Sequence, residues 1–184
     1  QQLPVVLFAE GGGGRPGDTD IPVVAGLHVH TFASYAALSG QVPVVGITGS
    51  CGKTTVKEML KVVLGRDVVA SPASFNNDVG VPLTLLQMDA STRACVVEIG
   101  TSGPGEIAAL TSIARPTVGI VTNVEEVHLE GLGSVRGVME EKSQLVRGLP
   151  EDGAAIVNAD NYWCREMMET VDAHLITYGT WEDS

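Results

Sequence analysis

The segment GITGSCGKTT, residues 46–55, contains the residue types that bind a phosphate chain. Gly49 and Gly52 allow the backbone to turn so that its N–H groups converge on an anion. Lys53 supplies a mobile positive charge for the β- and γ-phosphates of a nucleotide, and Thr54 supplies a hydroxyl that can bind Mg²⁺. An apolar run precedes the segment and a helical pattern follows it, which is the context that a phosphate loop requires.

The spacing of the two glycines is shorter than in the widespread phosphate-loop pattern. G-x-x-x-x-G-K-[ST] would need a glycine at Ile47, whereas this chain has G-x-x-G-K-T-T. We expect the whole loop to contact nucleotide, which adds Ser50, Cys51 and Thr55 to the nucleotide-binding residues. Cys51 is interpreted as a small spacer, because phosphoryl transfer needs no thiol. The competing interpretation is a helix N-terminus that carries a surface lysine.

Apolar runs alternate with amphipathic stretches from residue 42 onward, which predicts an α/β fold with a mostly parallel sheet and helices on both faces. The predicted strands are 43–48, 67–70, 93–99, 117–122, 153–158 and 174–178, and the predicted helices are 53–64, 80–87, 104–113, 134–147 and 160–171. Ligands bind such sheets at the carboxyl ends of the strands, so the functional site is expected there.

Single residues predict the ends and the buried faces of several helices. Ser134 and Asp160 are predicted N-caps, and Gly148 is predicted to end its helix. Met59 and Val63 lie at helical spacing, which predicts that they pack in the core.

The composition limits the possible functions. Hydrophobic residues make up 44% of the 184 residues, enough for a packed core, and the net charge of -11 argues against binding nucleic acid or an anionic membrane. No apolar stretch is long enough to cross a bilayer. Cys51, Cys95 and Cys164 are widely spaced and include no CxxC pair, which predicts a reduced, cytoplasmic protein.

Five segments in order carry a resemblance to a known family: GITGSCGKTT, SFNNDVGVPLTLL, VVEIGTSGPGEI, TNVEEVHLEGLGS and EEKSQL. Together they resemble the central ATPase domain of the Mur ligase family over about residues 42–180. FNNDVGVPLTLL and HLEGLGS favour the MurF type over the related folylpolyglutamate and cyanophycin synthetases.

The resemblance implies a reaction of peptidoglycan precursor synthesis with ATP and Mg²⁺ as cofactors. ATP would phosphorylate the carboxylate of a UDP-muramoyl-tripeptide, and the amine of D-alanyl-D-alanine would displace phosphate from the acyl phosphate to form an amide. The catalytic residues by resemblance are Lys53, His128 and Lys142.

The resemblance also implies a set of metal ligands. Thr54 and Glu98 would bind Mg²⁺, with Glu98 shared between two metal positions. His128 would bind the second Mg²⁺, and Lys142, carbamylated by CO₂, would ligate or position it. Each residue has a plainer interpretation from the sequence alone: a solvated Glu98 at a strand end, a structural His128, and an exposed Lys142 paired with neighbouring Glu140 or Glu141.

Three asparagines are assigned by the same resemblance. Asn76 and Asn77 would contact the UDP-muramoyl-peptide or shape the loop that does, although an asparagine pair is equally a turn signal. Asn123, at the end of strand 117–122, would line the nucleotide. Glu125 and Glu126 are interpreted as a solvated face.

The predicted domain organisation is a partial ligase. Residues 1–41, with a possible strand at 4–10 and helix at 32–40, are interpreted as the remnant of an N-terminal UDP-substrate domain. Residues 42–184 would be a truncated central ATP-binding domain, and the C-terminal domain would be absent. We expect such a chain to need that domain or a partner for closure. The alternatives are a non-catalytic nucleotide-binding or partner module and a folylpolyglutamate- or cyanophycin-type ligase.

Overall fold

The computed structural model describes residues 41–180, which form six strands and six helices. The strands are β1 (Val44–Thr48), β2 (Val68–Ala70), β3 (Ala94–Glu98), β4 (Val118–Val121), β5 (Ala154–Asn158) and β6 (His174–Tyr178). The helices are α1 (Lys53–Leu64), α2 (Gly80–Leu85), α3 (Glu106–Ala114), α4 (Leu129–Leu132), α5 (Val135–Arg147) and α6 (Tyr162–Met168). The strand and helix predicted at 4–10 and 32–40 lie outside the described residues.

The six strands form one sheet in the order β2-β3-β1-β4-β5-β6, and every neighbouring pair is parallel. The predicted parallel α/β fold is therefore confirmed. Ile47 of β1 pairs with Glu98 of β3, and Thr48 pairs with Val121 of β4. This register brings the carboxyl ends of β1, β3 and β4 together at one edge of the sheet.

Helices lie on both faces of this sheet, as predicted, but unequally. On one face, α2, α3, α5 and α6 pack on the sheet through two clusters that include Val97, Leu145 and Val157. On the other face, α1 packs through Val56 and Leu60 on a smaller cluster of strand residues. Among residues 41–180, no helix is both long and apolar enough to span a membrane.

The helix ends test the cap predictions. Ser134 is the N-cap of α5 and accepts a hydrogen bond from the Gly137 backbone N–H at 3.1 Å, and α5 ends at Gly148, so both predictions are confirmed. The prediction for Asp160 is wrong. Asn161 caps α6 instead, accepting from the Cys164 N–H at 3.0 Å, because the helix starts only at Tyr162.

The outer side of α1 carries exposed apolar residues. Met59 is 61% exposed and Val63 is 79% exposed, so the prediction that they pack in the core is wrong. The reason is the orientation of the helix: Val56 and Leu60 face the sheet, and Met59 and Val63 fall on the opposite side.

A buried carboxylate connects α5 to α3. Glu141 is 6% exposed, and its two carboxylate oxygens accept from the backbone N–H groups of Gly105 at 2.7 Å and Ile107 at 2.8 Å. These N–H groups belong to the first turn of α3, where no helical carbonyl is available to them. The positive end of the α3 dipole also favours a carboxylate there. Glu141 therefore fastens α3 to α5 close to Lys142.

We predict that Glu141→Ala lowers the free energy of unfolding by about 2–3 kcal/mol, because two buried N–H groups lose a charged acceptor. Glu140→Ala is the matched control, since Glu140 is exposed and pairs only at the surface with Arg136 at 3.2 Å. The control should cost at most about 0.5 kcal/mol. Urea unfolding followed by circular dichroism measures both variants. Equal losses would contradict the role assigned to Glu141.

Candidate active site

The loop between β1 and α1 depends on its two glycines. Gly52 has a φ of 83°, in the left-handed region, and it is the residue directly before α1. Gly49 has a φ of 150°, and a Cβ atom there would lie 1.8 Å from the Thr122 hydroxyl oxygen. Both positions therefore require glycine. At Gly49 the reason is that the loop lies directly against Thr122, the residue that follows β4.

The end of β4 braces this loop through hydrogen bonds. Ser50 N–H donates to the Asn123 backbone carbonyl at 3.0 Å, and Cys51 N–H donates to the Asn123 side-chain oxygen at 2.9 Å. The Thr122 hydroxyl donates to the Cys51 carbonyl at 2.6 Å. Asn123 thus lies beside the loop, where it was expected, and its side chain holds the loop backbone. The Thr122 side chain also holds the loop backbone, a role that the sequence pattern does not reveal.

Lys53 is the first residue of α1, and its side chain bends back over the loop. Its ammonium group donates to the Gly49 carbonyl at 2.8 Å. The positive charge is therefore held at the loop itself, together with the positive end of the α1 dipole. The loop can bind a phosphate chain through backbone N–H groups, a helix N-terminus and one cation. The neighbouring Thr55 lies exposed in the same first turn.

Thr54 and Glu98 meet at the carboxyl edge of the sheet. The Thr54 hydroxyl donates to one oxygen of the Glu98 carboxylate at 2.9 Å, and Asn76 Nδ2 donates to the other oxygen at 2.9 Å. Glu98 is only 1% exposed, which rules out the interpretation of a solvated strand end. Its backbone N–H donates to the Ser71 hydroxyl at 3.0 Å. Thr54 and Asn76 thus hold the carboxylate beside the phosphate loop, and Ser71 holds the backbone of the same residue.

The donor set around Glu98 fits Mg²⁺. A carboxylate and a hydroxyl are hard oxygen ligands, and Mg²⁺ binds few protein groups while keeping several waters. Within residues 41–180 there is no cluster of three or more His, Cys, Asp and Glu residues that could hold a metal. Thr54 and Glu98 are the two residues at this edge of the sheet that could hold a Mg²⁺ ion.

Lys142 is buried in α5, which rules out the interpretation of an exposed lysine. The residue is 2% exposed. The pKa of its ammonium group is lowered to about 8, mainly by burial and in part by the charge of Lys53, while the charge of Glu141 partly offsets these effects. The effect of Lys53 means that the two ammonium groups lie close enough to repel each other. A larger share of the Lys142 amine is therefore neutral at a given pH than in an exposed lysine.

His128 lies directly before α4, the short helix that the sequence pattern does not predict. Its φ of 54° is left-handed, and its carbonyl accepts from the N–H groups of Gly131 at 3.1 Å and Leu132 at 3.0 Å. The His128 side chain is exposed, as are the neighbouring Glu125 and Glu126. The exposed carboxylates agree with the predicted solvated face, and the role of His128 as a metal ligand stays a prediction.

Asn76 and Asn77 have different structural roles. The Asn77 side-chain oxygen accepts from the Gly80 N–H at 2.9 Å, so it forms the turn that starts α2. Asn76 instead binds Glu98 through its side chain and accepts from the Gly100 N–H through its carbonyl at 2.7 Å. The turn interpretation describes Asn77, whereas Asn76 belongs to the site around Glu98. Contact of either residue with a substrate stays a prediction.

The fold and the site together define a class of protein. A parallel α/β sheet has a glycine loop after its central strand β1, a lysine and a threonine at the start of the next helix, and a buried acid at the end of neighbouring β3. This arrangement defines a phosphate-loop nucleotide-binding protein.

The family follows from comparison with known proteins. The model of the Mur ligase middle domain matches residues 47–184, and the chain belongs to the Mur ligase family. The UDP-N-acetylmuramoyl-tripeptide--D-alanyl-D-alanine ligase of Escherichia coli is 43% identical over 154 residues, which cover 80% of this chain and 34% of that ligase. The resemblance found in the sequence is therefore confirmed.

Solved structures show the same relationship. A crystal structure of MurF from Acinetobacter baumannii matches with a TM-score of 0.75 and 31% identity, covering 81% of this chain and 33% of that one. The MurF ligase of Thermotoga maritima in complex with ADP matches with a TM-score of 0.69 and 31% identity, covering 82% of this chain and 36% of that one. This chain spans about a third of the length of these relatives.

Proposed function

We propose that this chain is the ATP-binding part of an ATP-dependent ligase that adds D-alanyl-D-alanine to a UDP-N-acetylmuramoyl-tripeptide. The observation that carries the proposal is the contact between Thr54 and the buried Glu98 beside a glycine loop that ends in Lys53. The relatives named as this ligase, and the relative that binds ADP, support it. The reaction would proceed through an acyl phosphate on the tripeptide carboxylate.

The residues of the loop would bind and orient the triphosphate. The loop 49–52 would surround the phosphates, with N–H donors from Gly52 and the first turn of α1, because the N–H groups of Ser50 and Cys51 already donate to Asn123. The Lys53 ammonium would leave the Gly49 carbonyl for the β- and γ-phosphate oxygens. Orientation of this kind would lower the barrier for attack by the carboxylate oxygen on the γ-phosphorus. The fixed cation also explains how a chain with a net charge of -11 binds a polyanion.

Thr54 and Glu98 would hold Mg²⁺ through their hydroxyl and carboxylate oxygens. Bound Mg²⁺ would supply neutralisation of the phosphate charge that builds up during phosphoryl transfer. In that state the hydroxyl and the carboxylate would exchange their mutual hydrogen bond for the metal. Asn76 would keep its hydrogen bond to the second oxygen of Glu98 and so fix the direction of the carboxylate.

Lys142 and His128 are proposed as the protein ligands of a second Mg²⁺. The neutral amine of Lys142 would add to the carbon of CO₂ and release a proton, which converts a buried cation into an anionic carbamate. A pKa lowered to about 8 by burial supports this step, because only the neutral amine reacts. The carbamate would suit a hard cation, whereas an ammonium at the same place would repel it.

The cell compartment and the domain arrangement are part of the same proposal. We place the protein in the cytoplasm, which agrees with the three free cysteines, of which Cys95 and Cys164 are buried. Residues 1–41 would belong to the UDP-substrate domain and residues 42–184 to the central domain. Closure over the acyl phosphate would depend on regions that the relatives have beyond the span of this chain.

Experiment can distinguish two other functions from this proposal. A nucleotide-binding module without catalysis would keep ATP binding and never support ligation. A folylpolyglutamate- or cyanophycin-type ligase would differ in substrate alone. The names of the relatives at about 40% identity support D-alanyl-D-alanine as the amine substrate.

We predict that Lys53→Ala weakens the binding of ATP with Mg²⁺ on the order of a hundredfold or more, because a fixed cation is removed from a site that binds a polyanion. Lys61→Ala is the matched control: Lys61 lies two turns further along α1, 45% exposed, and pairs with Glu58. Isothermal titration calorimetry measures both affinities. The same affinity in wild type and Lys53→Ala would remove the assignment of the phosphate loop.

We also predict that the 184-residue chain binds ATP but releases no ADP at an ordinary ligase rate when given UDP-N-acetylmuramoyl-tripeptide and D-alanyl-D-alanine. The physical reason is that forming the acyl phosphate, the step that releases ADP, requires the tripeptide carboxylate to be held in line with the γ-phosphate, and this span alone would not hold it there. A coupled assay for ADP measures this rate. Free glutamate, aspartate and arginine serve as alternative amine substrates. Ligation by the chain alone would contradict the domain arrangement, and ligation with an alternative amine would contradict the substrate.

A further inference from the structure

Lys57 is a buried cation one turn after the phosphate-loop lysine. Its side chain is 0% exposed. Its ammonium group donates to the Ala73 carbonyl and lies 3.2 Å from the carboxylate of Glu58, whose side chain is 53% exposed. Removing an ammonium group from water costs several kcal/mol unless partners replace the water. A lysine buried in this way therefore forms a specific connection between α1 and the loop that contains Ala73.

The loop at Ala73 is a tight turn in a strained conformation. The Phe75 N–H donates to the Pro72 carbonyl at 3.0 Å, which closes the turn around Ala73. Ala73 has a φ of 46°, in the left-handed region that favours glycine. A non-glycine residue keeps such a conformation only when its surroundings hold it, and the Lys57 ammonium group bound to its carbonyl does so.

Both ends of this turn contact Glu98. The Ser71 hydroxyl accepts from the Glu98 backbone N–H at 3.0 Å, and Asn76 Nδ2 donates to the Glu98 carboxylate at 2.9 Å. A Cβ atom on Gly100 would lie 2.7 Å from the Asn76 side chain. Asn76 therefore fits closely against Gly100 while it binds the Glu98 carboxylate. The direction of the Glu98 carboxylate thus depends on where the loop 71–76 lies.

We propose that Lys57 is a positioning residue of the nucleotide site: it fixes the loop 71–76 against α1, and through Asn76 it fixes the carboxylate of Glu98 toward Thr54. This inference rests on the proposed binding of nucleotide with Mg²⁺. Lys57 and Thr54 lie three residues apart on α1, so one helix supplies both the Mg²⁺ ligand and the support of its partner ligand. Lys57 itself, enclosed below the loop, touches no phosphate.

A positioning role differs measurably from a general structural role. Loss of general stability would weaken nucleotide binding with and without Mg²⁺ alike. Loss of the Glu98 direction would weaken only the part of the affinity that Mg²⁺ adds, because Lys53 and the loop N–H groups still bind the phosphates. Residues that orient a metal ligand typically contribute about tenfold to a hundredfold to metal affinity.

The test uses the 184-residue chain and an ATP analogue with a β,γ-imido bridge, titrated with and without Mg²⁺. Lys57→Met keeps the length of the side chain and removes the charge. We expect it to reduce the gain in affinity due to Mg²⁺ by about tenfold while the affinity without Mg²⁺ stays near that of wild type. Lys61→Met is the matched control on the exposed side of α1 and should leave both affinities unchanged.

A double-mutant cycle tests the route through Asn76. Asn76→Ala should cause the same Mg²⁺-dependent loss, and the double variant Lys57→Met with Asn76→Ala should lose no more than either single variant. Lys57→Arg, which keeps the charge and the N–H donors, should retain more of the Mg²⁺ response than Lys57→Met. If Lys57→Met does not fold, Lys57→Gln takes its place in the cycle.

Each outcome decides between the two claims. An unchanged Mg²⁺ response in the Lys57 variant, an equal loss with and without Mg²⁺, or additive losses in the cycle would overturn the positioning role and leave the proposed function standing. Failure of the wild-type chain to bind the analogue under either condition would overturn the proposed function, and the inference with it.

Discussion

The hydrogen bond between Thr54 and Glu98 is the interaction on which the rest of the site depends. It joins the first turn of α1 to the last residue of β3, and it exists because β1 and β3 pair in parallel with Ile47 opposite Glu98. A shift of the register by one residue would turn Glu98 to the other face of the sheet. The pairing of two buried strands therefore decides whether the phosphate loop has an acid beside it.

The site shows how an acidic chain can bind an anion. The net charge of -11 provides no general attraction for phosphate. Binding depends instead on positions: glycines at φ values that suit few other residues, a braced loop, and the N-terminus of α1. The carboxylates are positioned in the same way, since Glu98 is held by Thr54 and Asn76, and Glu141 accepts from the N–H groups of α3. For anion binding, the position of each charge matters more than the net charge of the chain.

Three lysines of the site have three environments, and each environment suits a different task. Lys53 bends over the loop and keeps a charge available for phosphate. Lys57 is enclosed and bound to a carbonyl, which suits a structural cation. Lys142 is buried with a pKa lowered to about 8, which suits an amine that reacts in its neutral form. Their identical side chains acquire these differences from the tertiary fold.

This contrast explains what the sequence could predict. The strands are apolar throughout and the helices between them are amphipathic, so their order and the parallel sheet follow from local pattern, as does Glu98 at a strand end. In the sequence, Lys57 and Glu58 resemble any pair of surface charges. The carbonyl that binds the Lys57 ammonium belongs to Ala73, 16 residues away in a loop, so local pattern does not reveal the contact. Asp160 and Asn161 are equally good caps by residue type, but the Asp160 carboxylate accepts from the Thr180 N–H, 20 residues away, and Asn161 caps α6. The exposure of Met59 likewise depends on how α1 is oriented on the sheet.

The most direct test of the central claim is a crystal structure of the chain with a β,γ-imido ATP analogue and Mn²⁺ in place of Mg²⁺, with the anomalous signal of the metal recorded. We expect a metal peak bound by the Thr54 hydroxyl or the Glu98 carboxylate, with the triphosphate enclosed by residues 49–53. A nucleotide bound at another edge of the sheet, or a bound triphosphate with no metal near Glu98, would contradict this claim.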